Sequence, residues 1–117
     1  MRLAKVEFLK KKLAKRYGII GRVAGRYVEA GYSVEISHNT RSGTIDVVAR
    51  KGGSILAITV IHGNVKVSPS HVEEAAKRAE HLKAKPVLVL YGRGPKVTQE
   101  AVVKAEELGV ELKRVRM

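Results

Sequence analysis

The chain has 117 residues, 44% hydrophobic and 29% charged, with no cysteine and a formal net charge of +12. That size and balance describe a single globular domain with its own core, and they exclude disulfides and thiolate zinc sites. No apolar run approaches the roughly 20 residues that span a bilayer, and the opening Met-Arg-Leu-Ala-Lys has no signal-peptide core, so a cytoplasmic protein without membrane contact is expected.

Residues 2–16 read as a helix. Val6, Leu9, Leu13 and Tyr17 make one apolar stripe, and Lys5, Lys10, Lys11, Lys12, Lys15 and Arg16 crowd the other face. Gly18 is a breaker. Residues 19–30 form a second helical pattern with Ile20, Val23, Ala24, Tyr27 and Val28 inward and Arg22, Arg26 and Glu29 outward. Gly31 suits the left-handed position past a helix end. Residues 32–38 alternate as a first strand, and 39–43 are a polar turn. His38 there reads as an ordinary exposed turn residue.

Residues 44–50 alternate and are rich in Ile and Val, and 54–61 are almost continuously apolar, as in a buried strand. They make a hairpin through Lys51-Gly52-Gly53. Inside its first strand stands Asp46, the only aspartate of the chain, an acid that is costly there unless paired, exposed or used. A connector follows. Ser70 with Glu73 three residues on reads as a capping box opening a helix whose inner stripe is Val72, Ala75, Ala76, Ala79 and Leu82. Lys77, Arg78, His81 and Lys83 fall on its other faces.

Residues 86–91 are a fully apolar strand, parallel to its predecessor through the helix crossover. The loop Gly92-Arg93-Gly94-Pro95-Lys96 lacks the pattern of a phosphate-binding P-loop; it reads as a plain connector or a small anion-binding loop. Thr98 caps a last helix, 99–108, with Ala101, Val102, Ala105 and Leu108 inward and Gly109 at its end. A short edge strand, 110–115, closes an order of α-α-β-β-β-α-β-α-β.

The positive excess is uneven. Residues 1–51 carry 12 basic and 4 acidic groups, and 52–117 carry 11 and 7. A polyanion is the natural partner of such a chain, because neutralising phosphates releases condensed counterions. With one Phe, four Tyr and no Trp, recognition of a duplex or structured RNA backbone fits better than stacking on a single strand. Two Asn and one Gln against many Lys, Arg and Glu follow the hyperthermophile bias.

The strand Gly43-Thr44-Ile45-Asp46-Val47-Val48-Ala49-Arg50 and the order of elements resemble the PD-(D/E)XK nuclease superfamily, in particular the archaeal Holliday-junction resolvases. The resemblance implies a restriction-endonuclease-like α/β fold, a mixed sheet flanked by helices. It divides the domain (1–117) into a basic N-terminal helix (1–18) and a core (19–115). In that family an Asp on one strand and a Glu-x-Lys on the next converge on a catalytic metal. Here the Glu position falls on Thr59 and the Lys position on Ile61. A one-residue slip places Ile58 and Val60 there instead. A further metal-site Glu of the family's helix would fall among Ile20, Gly21 and Arg22. The family uses the segment equivalent to 39–43 near its nucleic-acid substrate, and the resemblance implies Arg41 and His38 as phosphate contacts there.

The expectation is therefore a nucleic-acid-binding protein on a catalytically degenerate scaffold, without metal or other cofactor. Its DNA or RNA contacts would be Lys10, Lys11, Lys12, Lys15, Arg16, Arg22, Arg26, Arg41, Arg50 and Lys51. One alternative is an active enzyme with a displaced Mg²⁺ site around Asp46 that recruits Glu35 or Glu73. Another is a structural subunit of a nuclease or ribonucleoprotein complex. The related resolvases imply a homodimer or an active nuclease partner. The four histidines, His38, His62, His71 and His81, have no metal-motif spacing.

Overall fold

Three glycines let the N-terminal segment fold back on itself. In the computed structural model, which describes residues 2–116, helix α1 runs Arg2–Glu29 but is broken at Gly18, whose φ of 60° and ψ of −129° lie outside the helical region. Such a φ is strained for any residue but glycine. The two arms form a hairpin so close that a Cβ on Gly21 would collide with the Leu13 carbonyl, and one on Gly25 would lie 3.2 Å from the Lys10 side chain. The ion pair of Lys10 with Glu29, at 2.7 Å, ties the arms together.

The first arm is less buried than its sequence stripe predicts. Leu13 alone of the four is buried, while Leu9 is 40% and Tyr17 38% exposed. This arm adds only Leu13 to the buried cluster over the sheet, whereas the second arm adds Val23, Ala24 and Tyr27. One narrow contact line is then enough.

The sheet has the order β1-β2-β3-β5-β7. Strands β1 (Ser33–Thr40), β2 (Gly43–Lys51) and β3 (Ser54–His62) are antiparallel neighbours. Strands β5 (Lys85–Tyr91) and β7 (Glu111–Val115) continue from β3 in parallel, with β7 at the edge. Parallel neighbours need crossovers, and helices α2 (Pro69–Glu80) and α3 (Gln99–Leu108) supply them. The α1 hairpin covers one face of the sheet over Val47, Ala49, Ile58, Val60, Val87 and Val89. Helices α2 and α3 cover the other face over Ile61, Leu88 and Leu90.

Three local expectations are corrected. The first strand continues to Thr40, so the turn is Arg41-Ser42 alone. Helix α2 is capped by Ser68, not Ser70: Pro69 takes the first helical position, where a missing N–H costs nothing, and the Ser68 N–H donates to His71 Nδ1 at 3.0 Å. On α3 only Ala101 and Ala105 are buried, whereas Val102 and Leu108 are 40% and 43% exposed. The sequence pattern also gave no sign of two short strands, β4 (Lys66–Val67) and β6 (Lys96–Val97), which pair in parallel as a separate ribbon. Thr98 caps α3 as expected, accepting the Ala101 N–H at 3.1 Å. No described helix is long and apolar enough to cross a membrane.

Candidate functional site

Asp46 sits where the ladder of the sheet is interrupted on both sides. The β2–β3 register stops at Val47↔Ile58, and the β1–β2 register skips the position where Ser37 would face Asp46. Ser37 has a φ of 59°, an uncommon conformation for a residue with a Cβ. The freed N–H of Val60 is taken instead by Asp46 Oδ2 at 2.8 Å. The carboxylate is half-buried, and burial pushes its pKa up; the Val60 N–H, Arg78 and His62 pull it back down by smaller amounts.

Carrying the register one step further sets Thr59 opposite Asp46. Thr59 Oγ1 accepts a hydrogen bond from Arg78 Nη2 at 3.2 Å, which brings a guanidinium from α2 to the Asp46 carboxylate's side of the sheet. Arg78 Nε is enclosed and has no hydrogen-bond partner among the described residues. Ile61 is buried with Val67, Val72, Leu88 and Leu90. Arg78 was not among the residues singled out from the sequence. Its place beside Ala75, Ala79 and Leu82, on the border of the helix's inner stripe, was the available signal.

A divalent cation would be the family's cofactor, and these side chains do not fit one. Mg²⁺ takes near-octahedral oxygen coordination through carboxylates. Here one Asp46 oxygen holds a backbone N–H, Thr59 is neutral, and a guanidinium already faces the place. Among the described residues no group of three or more His, Cys, Asp or Glu could hold a metal ion. Glu35 does not compensate. It accepts from Arg50 Nη1 at 3.2 Å and lies 2.7 Å from His38 Nδ1. Hydrogen bonding from His38 above all, then Arg50, holds its carboxyl below the usual range. Glu73 is exposed on α2.

The cations named from the sequence divide into groups. Lys11, Arg22 and Arg26 line a groove of about 370 Å³ with Lys10, Tyr91, Val115 and Arg116. Lys10 is held by Glu29, with Glu7 3.6 Å away, and its pKa is raised chiefly by the hydrogen bond to Glu29. Lys12 and Lys15 flank Phe8, which is 69% exposed. Arg16 lies over the Tyr17 ring at 5.4 Å, and Arg41 is exposed at the β1–β2 turn. Arg50 and Lys51 stand at the other end of β2, about 13 and 17 Å along the strand from Asp46. Arg50 pairs with Glu35, and Lys51 Nζ donates to the Ala30 carbonyl at 2.8 Å.

Three arginines meet at the carboxyl ends of β5 and β7: Arg93, from the loop read in the sequence as a plain connector or a small anion-binding loop, and Arg114 and Arg116, which the sequence reading passed over. Arg93, Arg114 and Arg116 line a cavity of about 790 Å³ with Gly92 and Gly94. Arg116 also lines the Lys11–Arg22 groove, as Glu7 does, so the cavity and the groove adjoin at the Arg116 side chain.

An antiparallel hairpin running into a parallel β-α-β-α-β tail, with an Asp at the break in its ladder, defines a nuclease-like α/β fold. Residues 16–110 match the family model described as the PD-(D/E)XK superfamily domain, and the chain belongs to that superfamily. None of the curated proteins compared with it matches. Solved structures share the fold. AF1548, a protein of unknown function, superposes with a TM-score of 0.63 at 20% identity, covering 79% of this chain and 54% of that one. A repair endonuclease from Pyrococcus abyssi gives 0.62 at 19% identity over 94% of this chain and 46% of that one. EndoMS in complex with dsDNA gives 0.57 at 18% identity over 78% and 39%. The chain thus spans about half of each of these proteins, or less.

Proposed function

We propose that this chain binds the phosphate backbone of DNA or structured RNA and does not cut it. The observation that carries the reading is the Arg78 guanidinium bonded to Thr59 beside Asp46, where a metal-dependent nuclease of this family would set its second carboxylate. A fixed organic cation there balances the one remaining acid and leaves no ligand set for a metal. The groove formed by Lys11, Arg22, Arg26 and Arg116, adjoining the arginine cavity, is the proposed contact surface. EndoMS, of the same fold, was solved with duplex DNA, which supports a duplex as the first ligand to try. Lys12, Lys15, Arg16 and Arg41 are proposed as peripheral contacts. Arg50 and Lys51, engaged at the far end of β2, fall outside the surface.

The test is a titration against duplex DNA, a four-way junction, single strands and structured RNA, in EDTA and at several salt concentrations. Four phosphate contacts give a log–log salt slope of about −3.6 and a loss of roughly a hundredfold between 50 and 200 mM salt. Affinity absent at low salt overturns the proposal. So does Mg²⁺- or Mn²⁺-dependent cleavage that disappears in Asp46→Ala, which would establish the displaced-site enzyme instead.

A further inference from the structure

We infer that the cavity at the carboxyl ends of β5 and β7 is a phosphomonoester site, which on the reading above takes the terminal phosphate of a nucleic-acid strand. Among the described residues its side-chain charge is entirely positive: Gly92, Arg93, Gly94, Arg114 and Arg116 line it. None of the three arginines has a salt-bridge partner among the described residues. Converging guanidiniums repel one another, and an anion between them relieves that repulsion.

The loop is held in shape. Arg114 Nη1 donates to the Gly92 carbonyl and Nη2 to the Pro95 carbonyl, both at 2.7 Å. The Gly92 N–H donates to the Val115 carbonyl at 2.8 Å, and a Cβ on Gly94 would strike the Gly63 carbonyl. Arg114 is therefore the positioning residue: its donors hold carbonyls while its charge remains. Arg93 and Arg116 are exposed and have their forks available. Two free guanidiniums and a third uncompensated charge match a dianion better than a monoanion. A concave pocket at a strand edge suits a group with three free oxygens better than a passing phosphodiester. The adjoining groove of Lys11 and Arg22 would carry the strand's next phosphates.

Strand ends and free mononucleotides present the same chemistry, so the experiment separates them. Affinities are measured in EDTA for one duplex with 5′-phosphate, 3′-phosphate or hydroxyl ends. In parallel, the Arg93 and Gly94 amides are followed by NMR while inorganic phosphate and adenosine 5′-monophosphate are added. The result expected is about tenfold tighter binding of one phosphorylated duplex, the ratio a charge-assisted contact gives. That preference is lost in Arg93→Gln, a residue of the cavity and not of the adjoining groove, while hydroxyl-ended duplex still binds. Melting curves confirm that the variant folds. If hydroxyl and phosphate ends bind alike and neither small phosphate moves these amides, the inference is overturned and backbone binding stands. If no nucleic acid binds but the monophosphate moves them and the variant abolishes it, the pocket stands as a mononucleotide site and the backbone reading falls.

Discussion

Asp46 makes a prediction in which two substitutions part company. Asp46→Ala removes the acceptor of the Val60 N–H, bonded at 2.8 Å at a point where the ladder offers no other partner. A donor left unpaired in a half-buried sheet costs about 1–3 kcal/mol. Asp46→Asn keeps a carbonyl oxygen in the same place and removes the charge whose burial raises the pKa. The folded protein therefore holds this proton more tightly than the unfolded chain, whose aspartate titrates near its ordinary value of about 3.9. Between those two pKa values the native state carries the extra proton, so stability falls as pH rises through the window and is flat above it. At neutral pH the carboxylate is thus a net cost, worth about 1.4 kcal/mol for every tenfold change in proton affinity.

At about pH 7 the expected order is Asn at or above wild type, with Ala lowest. On acidification through the window the wild type gains on Asn. Glu35, whose pKa is lowered, acts in the opposite sense as pH falls, but it is common to both proteins and cancels in the difference. Urea denaturation at several pH values gives the comparison directly. If Asp46→Asn is less stable than wild type by more than about 1 kcal/mol at neutral pH, or if wild type loses ground to it in acid, the reasoning is wrong. The Asp46–Arg78 attraction would then outweigh the burial.

Three other outcomes are expected. Thr59→Glu places a carboxylate at the guanidinium that now bonds Thr59, so it forms an ion pair and gains no Mg²⁺ affinity by calorimetry, whereas Thr59→Glu/Arg78→Ala does; metal binding by the single variant would refute the reading of Arg78. Gly21→Val forces a Cβ into the Leu13 carbonyl and lowers stability by about 1–3 kcal/mol or more in chemical denaturation; a silent substitution would mean the α1 arms do not pack this closely. Lys11→Ala, Arg22→Ala and Arg116→Ala each flatten the salt slope of nucleic-acid binding by about 1, while Arg50→Ala leaves it unchanged.

The frame of the fold was legible because its signals are local. Alternation in 44–50, the apolar run in 54–61, Thr98 before α3 and Gly109 after it each speak within a few residues. Two-residue strands such as β4 and β6 have no period to detect. The cap of α2 was misread because Ser68 and Ser70 both qualify by type, and only Pro69 between them decides. Val102 and Leu108 follow a helical stripe, but α3 approaches its neighbours through the small side chains of Ala101 and Ala105, and the larger ones stay outside. Of the site, Asp46 was readable as an acid in a strand. Arg78 lies 32 positions along the chain from it and Arg116 lies 23 from Arg93; such pairs meet only through the crossovers, and no spacing rule reaches them.

On the proposed reading, Thr59 in place of the family's second carboxylate and Arg78 beside it are one difference in charge, not two. Two acids at the break in the ladder would repel each other and need a divalent cation to coexist. A single acid needs only one positive neighbour, and α2 provides it from the sheet face that Thr59 shares. Asp46 also has a structural role that requires no catalysis: it closes the ladder by taking the Val60 N–H where β2 and β3 part. The aspartate that made the strand look like a nuclease's is then accounted for by the fold. The positive charge that a metal would supply at the centre comes instead from side chains, Arg78 inside and Arg93, Arg114 and Arg116 at the adjoining strand ends. On the proposed reading, phosphate is expected to be held in EDTA as well as in Mg²⁺, and that outcome would separate this protein from a metal-dependent enzyme of the same fold.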